Sequence, residues 1–263
     1  LNSLLHTAIK AAIEAGNEIL KIYEQDFTVN FKDDRSPLTE ADLAAHKIIL
    51  ETLGNELPIL SEESSEIPFS KRKNWTRFWL VDPLDGTKEF IKKNGEFTVN
   101  IALIENGIPV LGVVYVPVTK ELFWGVEKVG SFQYSLKEKN SFSVEEIILK
   151  GEKLEKNFLP ETFTIVASRS HLSPETETFI QQCKQQHGEI HLVNSGSSLK
   201  LCQVATRKAN VYPRLAPTME WDTAAAHAIA KFAGCKVYDY HTRQELQYNK
   251  ENLLNPWFVV ELS

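Results

Sequence analysis

Two aspartates three positions apart close the apolar run Trp79-Leu80-Val81, in the segment Asp82-Pro83-Leu84-Asp85-Gly86-Thr87. Carboxylates held that near each other repel unless a cation sits between them. Mg²⁺ suits such a place, because it prefers carboxylate oxygens, waters and substrate phosphate. Pro83 sets φ at the start of the turn, and Gly86 admits a backbone shape or a close ligand approach that a Cβ would block. Thr87 opens a short helix whose first N–H groups favour phosphate. The ordinary alternative is that Asp82 and Asp85 merely form a turn, since Asp-Pro and Asp-Gly are common turn dipeptides.

Three further acidic segments lower that alternative. Ser61-Glu62-Glu63-Ser64 follows the short apolar stretch Pro58-Ile59-Leu60, and two adjacent glutamates at a strand end cost electrostatic energy without a cation. Alone they would read as a solvated acidic loop. Glu220-Trp221-Asp222-Thr223-Ala224-Ala225-Ala226 places Asp222 directly before an Ala-rich helix, where an N-cap is the plain explanation. An N-cap does not explain the bulky Trp221 beside it. Thr39-Glu40-Ala41-Asp42 opens another helix and also reads as a cap. Each signal is moderate separately; the four together, in this order, are specific.

These groups must be positioned by surrounding elements. Apolar residues at helical spacing predict a long amphipathic helix over 3–25 and a second from about Glu40 to Leu53, stopped by Gly54. Strands are expected at 58–60, 78–81, 97–103, 109–116 and 121–126, the last three forming an antiparallel meander, with a short helix near 88–92 and a loop over 66–76. Residues 135–160 are polar and lysine-rich, with a weak strand at 146–149. They mark the join between an α+β half, 1–150, and an α/β half, 151–263, in one compact unit. In the second half the pattern alternates: strand 163–167, helix 175–186, strand 190–193, helix 197–205, strand 209–212 and helix 223–232, before short terminal strands.

Composition narrows the class. The 263 residues are 43% hydrophobic, enough for a large core, and carry a formal net charge of -6. An acidic chain is a poor candidate for wrapping nucleic acid, which needs clustered Lys and Arg. It remains a good candidate for small phosphorylated ligands, because a bound metal overrides the overall sign. Cys183, Cys202 and Cys235 fit no zinc spacing and read as reduced thiols of a cytoplasmic protein. No apolar run reaches the roughly 18 residues of a membrane span, and no secretory signal is visible at the start.

On Glu62-Glu63, Asp82-Pro83-Leu84-Asp85-Gly86-Thr87 and Trp221-Asp222-Thr223-Ala224-Ala225, the chain resembles the lithium-sensitive phosphatases of the inositol monophosphatase superfamily over about residues 3–262. The flanking segments Thr87–Phe90, Gly95–Leu103, Ser168–His171 and Gly196–Lys200 look like its bacterial 3'(2'),5'-bisphosphate nucleotidases; 135–160 match least. The resemblance implies an α/β fold of the layered α+β kind, the five-layer α/β/α/β/α sugar-phosphatase sandwich. It implies two or three Mg²⁺ ions. Glu62, Asp82 and the Leu84 carbonyl would hold the first, Asp82, Asp85 and Asp222 the second, and Glu62 would share a looser third. It also implies that Asp42 and Thr87 are the proton-accepting pair, that adenosine 3',5'-bisphosphate becomes AMP and phosphate, and that 3'-phosphoadenylyl sulfate is a further substrate. Similar bacterial proteins associate peripherally with the inner membrane face, although no segment here requires it.

A bisphosphate substrate needs cations away from the metals. Lys200, after a Gly-Ser-Ser turn, suits the second phosphate. Arg214, His171, Ser168, Ser170, Ser197 and Ser198 are further candidates, with Gly86, Glu62, Leu84, Asp85, Thr87 and Asp222 lining the reacting phosphate. Tyr212 and Trp221 are equally suited to a base pocket or to the core. His46 and His227 have no metal-ligand partner at helical spacing and read as structural. The metal motifs alone leave inositol phosphates and fructose bisphosphate open as substrates. A non-catalytic Mg²⁺- or Li⁺-responsive binding protein is the alternative of another class, opposed by the intact proton-accepting pair.

Overall fold

The structure is a computed structural model that describes residues 2–25, 29–31, 37–64, 67–136, 143–154, 159–168 and 173–263. The chain opens with helix α1 (Asn2–Tyr23), which buries Leu5, Ala8, Ile9, Ala12, Ile13 and Ile19 at helical spacing. A two-stranded ribbon, β1 (Val29–Phe31) and β2 (Pro37–Thr39), leads into α2 (Glu40–Leu53), and α1 and α2 pack together. Gly54 ends α2 at φ 70°.

Strand β3 (Ile59–Ser61) then enters the large sheet, followed by a one-turn 3₁₀ segment at Glu62–Ser64 and a short helix α3 (Phe69–Arg72). That helix lies within the expected loop 66–76; four residues are too few to show a period. β4 (Arg77–Asp85), α4 (Thr87–Ile91), β5 (Thr98–Glu105), β6 (Ile108–Val116), β7 (Glu121–Val126) and β8 (Gly130–Ser135) continue, and β4 to β8 pair antiparallel in sequence order. The expected weak strand at 146–149 is instead part of helix α5 (Val144–Lys150). Ser143 caps it by accepting from the Glu146 N–H, and Val144 and Ile147 share its buried side, a helical spacing that a four-residue window misses. β9 (Glu152–Lys153) closes the seven-stranded sheet, ordered β3-β4-β5-β6-β7-β8-β9.

The second sheet is smaller and mixed. β10 (Phe163–Ser168), α6 (Pro174–His187), β11 (Ile190–Ser195), α7 (Leu199–Ala205), β12 (Val211–Arg214), α8 (Glu220–Phe232), β13 (Cys235–Asp239) and β14 (Phe258–Leu262) build a five-stranded sheet of order β11-β10-β12-β14-β13. α1 and α2 cover one face of the large sheet, α7 and α8 lie between the two sheets, and α6 covers the far face of the small one. The result is a five-layer α/β/α/β/α sandwich.

Strand alternation explains the layering. Trp79, Val81, Ile101 and Leu103 face α1 and α2, while Phe78, Leu80, Ala102 and Ile104 face the α7–α8 layer. In the small sheet Val166, Tyr212 and Val260 face that same layer, and Ile165, Val211 and Val259 face α6. α8 sits unusually close to the large sheet, because Gly112 and Gly125 leave room for the backbone at Ala225 and Ala228; a Cβ on Gly125 would lie 2.8 Å from the Ala228 carbonyl. Alanines on α8 complete that fit. Cys183, Cys202 and Cys235 are each buried, and none forms a disulfide. Among the described residues no helix is long and apolar enough to cross a membrane.

Candidate active site

The C-terminal end of β4 supplies the first two carboxylates through a distortion. Asp82 pairs with Asn100 and Asp85 with Thr98, so β4 carries one more residue than β5 between these pairs. Residues three apart on a regular strand point to opposite faces. The extra residue is a bulge, placed where Pro83 has no N–H to offer the ladder, and it brings both side chains to one cleft. Asp82 is 1% exposed, and its Oδ1 accepts from the Leu84 N–H at 3.0 Å. Gly86 follows at φ 93°, where a Cβ would meet the Glu96 carbonyl at 3.2 Å, and it turns the chain into α4.

The remaining acids arrive from distant elements. Glu62 sits on the 3₁₀ turn after β3, beside β4. Asp222 lies in the first turn of α8, inside the helix rather than before it: Met219 occupies the N-cap position, and Asp222 Oδ2 accepts its N–H at 2.8 Å. Capping and gathering at the cleft are therefore compatible roles. Carboxylate oxygens of Glu62, Asp82 and Asp222 lie within 4.8 Å of one another. Asp85 lines the same cleft with its Oδ2 already engaged by Ser197 Oγ and Ser198 N, both at 2.6 Å.

This concentration of charge is visible in the acidities. Burial pushes the Asp82 carboxyl well up, and the Glu62, Asp85, Asp222 and Asp42 charges push it further. Burial and then Asp85 raise Asp222, opposed by its bond from the Met219 N–H. Acids gathered where they oppose each other's ionisation are relieved by a proton or by a bound cation. The donors are all hard oxygens, which suit a hard divalent cation rather than a thiolate- or imidazole-bound metal.

Asp42 stands beside this cluster. Its Oδ2 closes a capping box on Thr39, accepting from the Thr39 N–H at 2.7 Å and the Thr39 hydroxyl at 2.6 Å. Its Oδ1 faces the Thr87 hydroxyl at 3.3 Å, and the Leu84 carbonyl lies 3.4 Å from the same hydroxyl. The cap reading and the paired-residue reading of Asp42 thus describe two oxygens of one carboxylate.

Glu62, Asp82, Asp85, Thr87, Arg214 and Asp222 line an open cleft of about 380 Å³. A recess of about 140 Å³ adjoins it, sharing Asp85, Arg214 and Asp222 and adding Ser197, Lys200 and Tyr212. Lys200 is 4% exposed; its ammonium donates to the carbonyls of Ser195 and Ser197 and lies over the Tyr212 ring. Burial lowers its pKa to about 8, against the pull of Asp85. Arg214 donates to the Pro217 carbonyl at 2.9 Å. Ser197 and Ser198, expected to donate to a nucleotide, are committed within the protein to Asp85, Thr98 and Asn100. Trp221 belongs to the core. His46 bonds Ser61 and His227 bonds Tyr248. His171, Ser170 and the Ser168 side chain lie outside the described residues.

Thr98 and Asn100 escaped the sequence reading. Asn100 Nδ2 reaches Asp85 at 3.4 Å and its Oδ1 accepts from Ser198. Their signal was present: two polar residues in the otherwise apolar strand Phe97 to Leu103.

The sequence matches the inositol monophosphatase family over residues 1–258. The chain belongs to that family. A 3'(2'),5'-bisphosphate nucleotidase CysQ of Salmonella typhimurium is 43% identical over 264 residues, covering 98% of this chain and 100% of the relative. The crystal structure of CysQ from Bacteroides thetaiotaomicron, a bacterial member of the family, superposes with a TM-score of 0.89 at 51% identity, over 99% of this chain and 97% of that one. The extragenic suppressor protein suhB from Bartonella henselae shares the fold at 24% identity, with a TM-score of 0.75, over 99% and 94% of the two chains. Metal dependence is general in this family, and a cluster of acidic residues, Glu62, Asp82 and Asp222, is present in this chain.

Proposed function

We propose that this chain is a Mg²⁺-dependent 3'(2'),5'-bisphosphate nucleotidase that converts adenosine 3',5'-bisphosphate to AMP and phosphate. The observation that carries the reading is the meeting of Glu62, Asp82 and Asp222 within 4.8 Å, beside the Asp42–Thr87 pair. Similarity to nucleotidases over the whole chain favours this substrate over inositol phosphates and fructose bisphosphate. 3'-Phosphoadenylyl sulfate carries the same 3'-phosphate and is a second substrate of this reading.

Glu62, Asp82 and the Leu84 carbonyl would hold one ion, Asp82, Asp85 and Asp222 another, and Glu62 a third. Bound Mg²⁺ supplies charge neutralisation on the phosphoryl oxygens and makes water a better nucleophile. The chain's own residues supply direction. Thr39 holds Asp42 Oδ2, which turns Oδ1 toward Thr87. The Thr87 hydroxyl donates to that oxygen and accepts from the attacking water, so the water's proton drains through Thr87 Oγ1 to Asp42 Oδ1. The water oxygen bonds to phosphorus as the bond to the ribose oxygen breaks; the ribose oxygen takes its proton from a solvent water in the open cleft, and Asp42 returns the proton it accepted to solvent. Lys200 and Arg214 face the adjoining recess and would take the second phosphate, fixing which phosphate reacts.

The test is phosphate release with and without Mg²⁺ from adenosine 3',5'-bisphosphate and inositol 1-phosphate, each with and without lithium. Faster, Mg²⁺-dependent release from the nucleotide is expected. Equal or faster release from inositol 1-phosphate would overturn the substrate assignment, and release indifferent to chelation would overturn the metal.

A further inference from the structure

Asp222 is the cluster member farthest along the chain from the others, and its placement depends on where the first turn of α8 sits. That turn is strapped from outside by segment 247–255. Glu220, two residues before Asp222 and fully buried, accepts from the Asn249 N–H at 2.6 Å, the Lys250 N–H at 3.0 Å and the Lys250 ammonium at 2.6 Å. Asn255 donates through its amide to the Met219 carbonyl at 2.7 Å and to Thr223 Oγ1 at 3.0 Å, and its backbone N–H reaches Thr218. The Tyr248 hydroxyl bonds Thr223 and His227 on the same helix.

The strap is itself anchored on α3. Arg72, 2% exposed on α3, donates to Asn249 Oδ1 at 3.0 Å, the Lys250 carbonyl at 2.6 Å and the Glu251 carbonyl at 2.9 Å. Asn249 returns a bond to the Arg72 carbonyl at 2.8 Å. Thus the first turn of α8 is tied through one strap to α3, by a buried carboxylate on one side and a buried guanidinium on the other.

We infer that Arg72 and Glu220 are positioning residues that set the distance of Asp222 from Glu62 and Asp82, and so the affinity of the site for a divalent cation. Neither side chain lines the cleft, so each acts through the backbone it holds. The geometry explains why a helix bearing a needed acid carries a second, wholly buried one: a buried carboxylate is retained only where donors surround it. The inference rests on the metal-dependent reading above.

The experiment measures Mg²⁺ binding to the chelator-stripped full chain by calorimetry, together with the Mg²⁺ dependence of phosphate release from adenosine 3',5'-bisphosphate. Glu220→Gln and Arg72→Lys are the variants; Arg72→Lys keeps the cation but loses the fork, which preserves a test if Glu220→Gln does not fold. Ser131→Ala is the control, because the buried Ser131 hydroxyl bonds the Ile229 carbonyl at 2.7 Å toward the opposite end of α8. Both strap variants are expected to bind Mg²⁺ about tenfold more weakly, the scale seen when outer partners of metal ligands are lost. Their kcat at saturating Mg²⁺ should stay within about threefold of the parent, and the control should bind as the parent does. Strap variants that bind Mg²⁺ like the parent overturn the inference. So does a control weakened as much as they are, since the strap would then add stability alone. A parent that binds no Mg²⁺ overturns the metal reading and this inference together.

Discussion

Replacing Asp85 by Asn removes one charge and almost no volume, so it isolates electrostatics. The fold has reason to survive it. Asp85 Oδ2 accepts from Ser197 Oγ, Ser198 N and, more loosely, Asn100 Nδ2, and an amide oxygen can take all three bonds while its NH₂ turns toward the cleft. The lost quantity is attraction for a cation. Two unit charges about 4 Å apart at an effective dielectric near 20 interact by about 4 kcal/mol. At roughly 1.4 kcal/mol per decade, that is on the order of 10³ in activity at limiting Mg²⁺. The divalent charge makes this the lower figure. The same substitution acts oppositely on the metal-free protein. Asp85 is the leading charge raising Asp222 and also raises Asp82, so removing it relieves repulsion. Asp85→Asn should therefore lose about three decades of phosphate release from adenosine 3',5'-bisphosphate and, under chelation, melt at or above the parent's temperature. Turnover within tenfold of the parent across a Mg²⁺ titration would refute the reasoning, as would a chelated variant that melts well below the parent.

Two further outcomes follow from the same geometry. Thr87→Val deletes the hydroxyl that faces Asp42 at 3.3 Å and should cost about 10²–10⁴ in kcat, whereas Thr87→Ser should restore most of it; equal rates for the two, measured by phosphate release, would dismiss the proton path. The pH dependence of stability has a definite sign. Asp82 and Asp222 have folded-state pKa values above the ordinary carboxylate value of about 3.9, so the metal-free folded chain binds more protons than the unfolded one. Their contribution is fully present below about pH 4 and is lost as pH rises through the raised values. Chelated protein should therefore lose melting temperature with rising pH relative to Asp82→Asn, and Mg²⁺ should restore more of it at high pH than at low. Parallel melting curves for parent and variant would contradict this.

The gathering of acids rests on a division of labour between the large sheet and the helix layer packed behind it. The large sheet presents Asp82 and Asp85 from a strand held on both faces by core. The α7–α8 layer, wedged between the sheets, brings Asp222 and Lys200 to the same opening. The close seat of α8 on Gly112 and Gly125 places the whole helix within reach of β4, so packing in the core has a direct consequence at the cleft.

Much was readable from the chain alone because it is local. The continuous apolar run Phe78 to Val81 and helical spacing in α1 and α2 are properties of neighbours, and so is the Asp82-Pro83-Leu84-Asp85-Gly86-Thr87 turn. Where the window was too short, as at α3 and α5, periodicity failed and only packing decided the element. Side-chain direction also lay beyond the sequence. An i,i+3 pair on a strand faces opposite sides, and only the bulge against β5 turned Asp82 and Asp85 to one cleft. Glu62 and Asp222 are 160 residues apart, and their meeting depends on how α8 sits between the sheets. Whether Ser197 and Ser198 serve a ligand or hold Asp85, and why Glu220 and Arg72 are buried at all, depends on contacts between segments distant in the chain. Residue order determines which acids exist and what local shapes they favour. Only the packed chain sets the few ångströms between them, because those distances are the sum of every helix-on-sheet contact in between.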